Sequence, residues 1–184
     1  MYQTSKLLDF MPEEVLKIEK AKKLLHSALV KHGNKIFVAY SGGKDSKVIL
    51  HLAQQAAAPM RATVISIHNS HPDEKCDLPN GCVIIKEPKS NFVEFLKYVE
   101  VTAQIDGTRT DEEEKTVIFN SEVIPRKDIP NEFNPKGVFG LEIYYPILYW
   151  TEKEVWNYIK QHELMTEEEI KNYKPSQPYK EIFL

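Results

Sequence analysis

The string Val38-Ala39-Tyr40-Ser41-Gly42-Gly43-Lys44-Asp45-Ser46-Lys47 concentrates groups that could handle an oxyanion. Two adjacent glycines permit torsions and close approach that side chains would oppose. Successive N–H groups in such a turn form a concave anion seat. Ser41 and Ser46 add hydroxyls, and Lys44 adds a compact positive charge. An apolar helical run follows over 46–58, so the positive end of a helix points at the same place. Phosphate is the ligand these features favour. Asp45 does not favour an anion; it suits a helix cap or a Mg²⁺ carried on phosphates. The plain alternative is a strand–turn–helix connection with Asp45 or Ser46 as N-cap. The string is not a Walker loop, because it lacks G-x-x-x-x-G-K-[ST].

Periodicity predicts the elements that position this string. Val15, Ile18, Ala21, Leu24, Leu25, Ala28 and Leu29 recur at three and four, which predicts an amphipathic helix from Pro12 to about residue 31. Residues 36–40 are a short continuous apolar run, as expected of a buried parallel strand. Further strands are expected over 61–68, 82–85, 101–105 and 144–148, with a helix over 91–99. Residues 68–81 and the Pro-rich stretch 125–140 read as loops. Thr151 with Glu154, and Thr166 with Glu169, have the spacing of capping boxes that open two more helices. The tail from 174 reads as irregular. Strands alternating with helices argue for an α/β domain with a parallel sheet and right-handed crossovers. Ligands in such sheets sit at the carboxyl ends of the strands. Those ends here carry residues 41–46, 68–71 and 106–109, which argues for one shared site.

Composition narrows the classes. The 184 residues suit one domain of ordinary size. A formal net charge of -3 argues against a surface built to hold nucleic acid. No apolar run approaches the roughly 18 residues that span a bilayer, and no signal peptide is evident. Two cysteines, Cys76 and Cys82, do not make a disulfide framework, so a reducing, cytoplasmic location is expected. With His68 and His71 they could form a His₂Cys₂ zinc set; the alternative is one loop cysteine and one buried cysteine.

The SGGKDS string resembles the PP-loop signature, S-G-G-x-D-S, of the ATP pyrophosphatase (adenine nucleotide alpha-hydrolase) superfamily. Two later segments resemble its phosphoadenosine phosphosulfate (PAPS) reductase / ATP sulfurylase small subunit family. Asp106-Gly107-Thr108-Arg109 is similar to that group's strand-end G-[IT]-R, which FAD synthetases also carry. The stretch Tyr145-Pro146-Ile147-Leu148-Tyr149-Trp150-Thr151-Glu152-Lys153-Glu154-Val155-Trp156 is similar to its P-[IL]-x-x-W-[ST]-x-x-[DE]-V-W. The resemblance spans about residues 35–160. It implies a three-layer α/β sandwich around a five-stranded, mostly parallel sheet, in a single domain with an N-terminal helix 12–32, a core 35–160, and a C-terminal helix and tail 161–184. The implied ligand is ATP or PAPS/APS with Mg²⁺ on its phosphates, and the implied chemistry is adenylyl transfer with pyrophosphate release. Under the resemblance the nucleotide meets Ala39, Tyr40, Ser41, Gly42, Gly43, Lys44, Asp45, Ser46, Ile67, Gly107 and Arg109. Lys44 and Arg109 are the catalytic pair, and Asp45 is the Mg²⁺ ligand. An arginine just past a strand end can hold phosphate or sulfate bidentately; the alternative is a surface arginine paired with Asp111 or Glu112. Little loss of fold is therefore expected on removing Lys44 or Arg109.

The chain also departs from that family. No cysteine follows Cys82, so the reductase nucleophile of the C-terminal motif is missing. Two cysteines are too few for an iron–sulfur form. Residues 68–74 keep little of the family's D-T-G-x-x-F-P-E-T, and Lys115 stands where a second arginine is common. Three readings remain: an adenylyltransferase, a sulfonucleotide-binding protein whose reducing thiol lies elsewhere, and a non-enzymatic nucleotide-binding subunit of a sulfur-transfer complex. The expected partners are an adenine nucleotide and an unidentified second substrate. A partner subunit and self-association are left open; a membrane and nucleic acid are not expected.

Overall fold

β1 (Ile36–Ala39) lies inside the sheet because both of its faces are buried. Ile36 and Val38 join one hydrophobic core and Phe37 the other. This is why the run carries no polar alternation. The computed structural model describes residues 12–70, 78–86, 89–111, 123–124 and 141–173. In chain order the other elements are α1 (Glu13–His32), α2 (Lys44–Ala57), β2 (Ile65–Ser70), β3 (Val83–Lys86), α3 (Lys89–Tyr98), β4 (Ala103–Ile105), β5 (Val123–Ile124), β6 (Glu142–Tyr144), α4 (Glu152–Gln161) and α5 (Glu167–Lys171).

The sheet order is β3-β2-β1-β4-β6-β5. The first five strands are mutually parallel, and β5 adds a two-residue antiparallel edge. The expected five-stranded parallel sheet is present, with that edge as an addition. Buried side chains of α1, α2 and α4 pack on one face of the sheet, among them Leu25, Leu29, Val48, Leu52, Val155 and Ile159. Leu96 of α3 packs on the other with Phe37, Ile67, Ile85 and Leu141. Three layers result.

The chain runs from β1 through β2 to β3 on one side, then returns to lay β4 on the other side of β1. Strand order therefore reverses between β1 and β4. The crevice outside the carboxyl ends at such a reversal is where open α/β sheets take ligands. SGGKDS follows β1 and DGTR follows β4, so the fold puts both at this point.

Several boundaries differ from expectation for identifiable reasons. The strand expected over 61–68 begins only at Ile65, because Arg61 adopts a left-handed conformation (φ 53°) after a 3-10 turn at Ala58–Met60. It then runs on to Ser70, so His68 is a strand residue and 2% exposed. The strand expected over 144–148 ends at Tyr144. Pro146 has no N–H to continue a ladder, and the apolar run folds instead into turns closed by Leu148 N–H to Tyr145 O (3.2 Å) and Trp150 N–H to Ile147 O (2.9 Å). Both capping boxes form, at Thr151–Glu154 and Thr166–Glu169. Among the described residues no helix is long and apolar enough to cross a membrane. His71, Cys76, the acidic run 112–114, Lys115, the expected loop over 125–140 and the tail from 174 lie outside the described residues.

Candidate functional site

Gly42 has φ +81°, a conformation that an L side chain strains to adopt. It turns the chain sharply from β1 into α2. Gly43 is the N-cap and supplies no side-chain bond, so neither Asp45 nor Ser46 caps the helix. The first-turn amides of Lys44, Asp45 and Ser46 have no acceptor within the helix itself. The two serines shape the turn: Ser41 Oγ accepts from the Gly43 N–H (3.3 Å), and Ser46 Oγ donates to the Gly43 carbonyl (2.8 Å).

The loop after β4 is pressed against this turn. A Cβ on Gly107 would stand 3.2 Å from Asp45 Cβ and 3.3 Å from its carbonyl carbon. A side chain there would oblige Asp45 to shift by a few tenths of an ångström. Asp106 holds the loop's shape, accepting from Thr108 N–H (2.9 Å), Thr108 Oγ1 (2.7 Å) and Gln104 Nε2 (3.1 Å).

Charges then link three elements. Lys44 Nζ lies 3.2 Å from Asp45 Oδ2 and 3.7 Å from Glu152 Oε1. Arg109 Nε lies 2.8 Å from Asp45 Oδ1, and Arg109 Nη1 lies 2.8 Å from Asp111 Oδ1. Asp111 Oδ2 accepts from the Glu152 N–H (2.7 Å), at the first turn of α4. The first turn of α2, the loop after β4 and the start of α4 are thereby joined.

Arg109 is paired with Asp111, as the plain alternative to a phosphate-holding arginine has it, but it is 2% exposed and also held by Asp45, not a surface residue. Removing one partner of a buried pair leaves the other charge uncompensated, so Arg109 supports the fold as well as the site. Asp45 faces a cation at each carboxylate oxygen. It does not fit as a direct Mg²⁺ ligand in this arrangement. Among the described residues no three His, Cys, Asp or Glu side chains group as a metal site.

Tyr40 and Ile67 are joined by Tyr40 N–H to the Ile67 carbonyl (3.0 Å). His68 Nδ1 lies 2.8 Å from the Tyr40 carbonyl, which can only accept, so that nitrogen carries the proton. His68 thus braces the floor of the loop; of the zinc set, His71 and Cys76 lie outside the described residues, and Cys82 is a free thiol.

The sequence reading missed four neighbours. Asp111 entered it only as a pairing partner of Arg109, and Glu152 only as one residue of the 145–156 stretch. Trp156, the last residue of that stretch, is half-buried and meets Tyr173 edge to face at 5.1 Å. Tyr173 accepts from the Lys44 N–H (3.3 Å); no local pattern marks it.

Residues 80–168 match the model of the phosphoadenosine phosphosulfate reductase domain, a span that includes DGTR and PILYWTEKEVW but not SGGKDS. No curated protein matches the sequence. Among solved structures, Candida glabrata FMN adenylyltransferase is similar with TM-score 0.58 and 17% identity, over 85% of this chain and 60% of that one. The chain thus spans about 60% of that enzyme's length. Candida auris PAPS reductase, a phosphate complex, is similar with TM-score 0.55 and 16% identity, over 86% of this chain and 87% of that one. The tRNA thiolase NcsA of Methanococcus maripaludis is similar with TM-score 0.52 and 15% identity, over 89% and 68%. These likenesses show that the chain shares the fold of those proteins, with the SGGKDS turn at the switch point of the sheet and a match to the PAPS reductase domain over residues 80–168.

Proposed function

We propose that the protein is an enzyme that binds ATP at its PP-loop and transfers the adenylyl group to a second substrate, releasing pyrophosphate. The convergence at the β1/β4 switch point carries this reading: the glycine turn, the first-turn amides of α2, Lys44, and the loop after β4 in contact with Asp45. Pyrophosphate is a densely charged leaving group. Amides fixed by a helix turn and a nearby ammonium stabilise it without reorganising. An acceptor oxygen forms a bond to the α-phosphorus as the bond to the bridging oxygen breaks, and that electron pair leaves with pyrophosphate. Positioning and electrostatics suffice, so no covalent nucleophile is required.

In this reading Lys44 meets the departing phosphates. Arg109, buried between Asp45 and Asp111, holds Asp45 and the strand-end loop in register. Gly42, Gly43, Ser41 and Ser46 form the turn; Ala39, Tyr40 and Ile67 form the floor. The Candida glabrata neighbour, also determined with FMN and an ATP analogue, makes FMN the first acceptor to test. The family match and the PAPS reductase neighbour favour a second reading, PAPS or APS as the bound nucleotide with the reducing thiol supplied elsewhere.

Calorimetry with ATP, PAPS and APS, paired with a pyrophosphate-release assay on ATP plus FMN, separates the two. ATP binding with acceptor-dependent pyrophosphate release supports the first reading. Tighter binding of PAPS or APS without release moves the assignment to the second. A folded protein that binds none of the three sinks both.

A further inference from the structure

Tyr173 lies directly on the first amide of α2. Its hydroxyl oxygen accepts the Lys44 N–H at 3.3 Å, and its ring faces Lys44 Nζ at 5.7 Å from the centroid. Trp156 meets the Tyr173 ring edge to face at 5.1 Å, and the indole Nε1–H donates to Glu152 Oε1 (3.3 Å). The approach is not accidental to one side chain. α5 delivers Tyr173 there, and Glu169 of α5 lies 3.4 Å from Lys47 Nζ on α2. Tyr173 N–H donates back to the Ile170 carbonyl (3.4 Å), which fixes its own backbone to α5.

The Lys44 amide has one proton to donate. In a phosphate cradle that proton points at the ligand. We propose that Tyr173 belongs to the oxyanion site as a competitor: its phenol oxygen and a phosphoryl oxygen contend for the same amide proton, so nucleotide binding displaces Tyr173. This rests on the phosphate-cradle reading above and adds a residue that no motif contains. The direction of the exchange follows from the chemistry. A bond to an ionised phosphate oxygen is shorter and about twice as strong as a neutral one, and 3.3 Å is long for the bond it replaces. The Lys44 ammonium gains a full negative charge in place of a ring face. Trp156 loses its aromatic neighbour in the same event, which makes it a reporter.

The test compares inorganic pyrophosphate binding by calorimetry in the wild type and Tyr173→Phe, with circular dichroism confirming that both are folded. Tyr173→Phe keeps the ring and removes the competing oxygen. It should bind pyrophosphate about two- to tenfold tighter, the worth of one typical hydrogen bond. Glu169→Gln, which removes the ion pair to Lys47, should shift affinity the same way by less. Pyrophosphate should also change the tryptophan emission of the wild type, and Trp156→Phe should lose that change. Equal affinity in wild type and Tyr173→Phe overturns the competition. So does weaker binding, which would make the hydroxyl a ligand contact. If folded wild type and Tyr173→Phe both fail to bind pyrophosphate and ATP, the cradle reading fails and takes this inference with it.

Discussion

Arg109 Nε stands 2.8 Å from Asp45 Oδ1, and through that contact the loop after β4 is locked to the first turn of α2. The two residues are far apart in sequence and belong to the two signatures that the strand reversal brings together. Arg109 is 2% exposed, so neither water nor a mobile counterion can stand in for its partners. Its fork reaches Asp45 with one nitrogen and Asp111 with another.

Arg109→Ala should therefore cost stability as well as activity. Breaking a buried pair from one side costs about 3–5 kcal/mol. Urea denaturation should show a clear fall in midpoint with the slope unchanged. Arg109→Lys should be only partly restorative, since one compact ammonium cannot serve both carboxylates. A wild-type midpoint in Arg109→Ala would show that Arg109 does not support the fold.

Lys44→Ala should behave in the opposite way. Its partner Asp45 keeps the Arg109 contact, and its other partner, Glu152, has a side chain 61% exposed. An ion pair to so exposed a group contributes little. The denaturation midpoint should hardly move, while nucleotide affinity or turnover should fall about ten- to hundredfold, the worth of a charged hydrogen bond. A variant that matches wild type in both assays, on a nucleotide confirmed as ligand, would take Lys44 out of the site.

Gly107→Ala tests the close approach of the two loops. The added methyl would meet Asp45 at 3.2 Å, backbone as well as side chain, so no flexible end can give way. Overpacking of this kind costs about 1–3 kcal/mol. Midpoint and nucleotide affinity should fall together, because the strain enters at the first turn of α2. A loss of stability with affinity intact would separate the loop contact from binding.

Stability should weaken below neutral pH. His51 lies 3.0 Å from Tyr158 Oη through Nδ1, with its ring 4.9 Å from that of His162. Burial, followed by the charges of His162 and Lys22, holds its pKa below the ordinary 6.5. Burial pushes His32 and His162 down as well. The unfolded chain thus binds more protons than the folded one just below that value. Their contribution is whole above 6.5 and declines as pH falls toward the lowered folded values. A second loss should follow below the usual carboxylate value of 4.5, where Glu169, held down chiefly by the Thr166 amide and then its hydroxyl, takes up a proton. Urea midpoints measured across this range should trace both declines, and His51→Gln should flatten the first. A midpoint independent of pH between neutrality and the carboxylate range would contradict the histidine account.

Thr151→Ala should lower stability by about 1 kcal/mol through loss of the α4 cap. The effect should exceed that of Thr166→Ala, because α4 carries buried Val155, Tyr158 and Ile159 while α5 has no fully buried residue. Thermal midpoints of the two variants give the comparison.

What could be read from the sequence was local or periodic. SGGKDS announced its turn because glycines, hydroxyls and a cation sit next to one another, and the capping boxes announced two helices from residues three apart. The sheet followed from alternation of apolar runs. Arg109 was placed correctly at a strand end, but its burial was not legible, because burial depends on Asp45 and on the Glu152 amide that orients Asp111. Tyr173 was invisible for the same reason. Nothing within several residues of it has the periodicity or spacing of a site, and its position is set by α5 docking on α2. The strand expected over 144–148 failed where hydrophobicity and hydrogen bonding disagree: the run is buried, but Pro146 cannot donate.

The pairing of β1 with β4, Ile36 against Ala103, means that the site is drawn from residues 41 to 173 and closes only after long loops of chain have come together. An incompletely folded chain therefore presents no cradle. A ligand that recognises only the finished assembly must raise the melting temperature with the logarithm of its concentration, by about 2.7 kcal/mol of added stability at a hundred times its dissociation constant. A melting-temperature screen across nucleotides and acceptors, run without any assumed reaction, would let the late-forming hub report its own ligand.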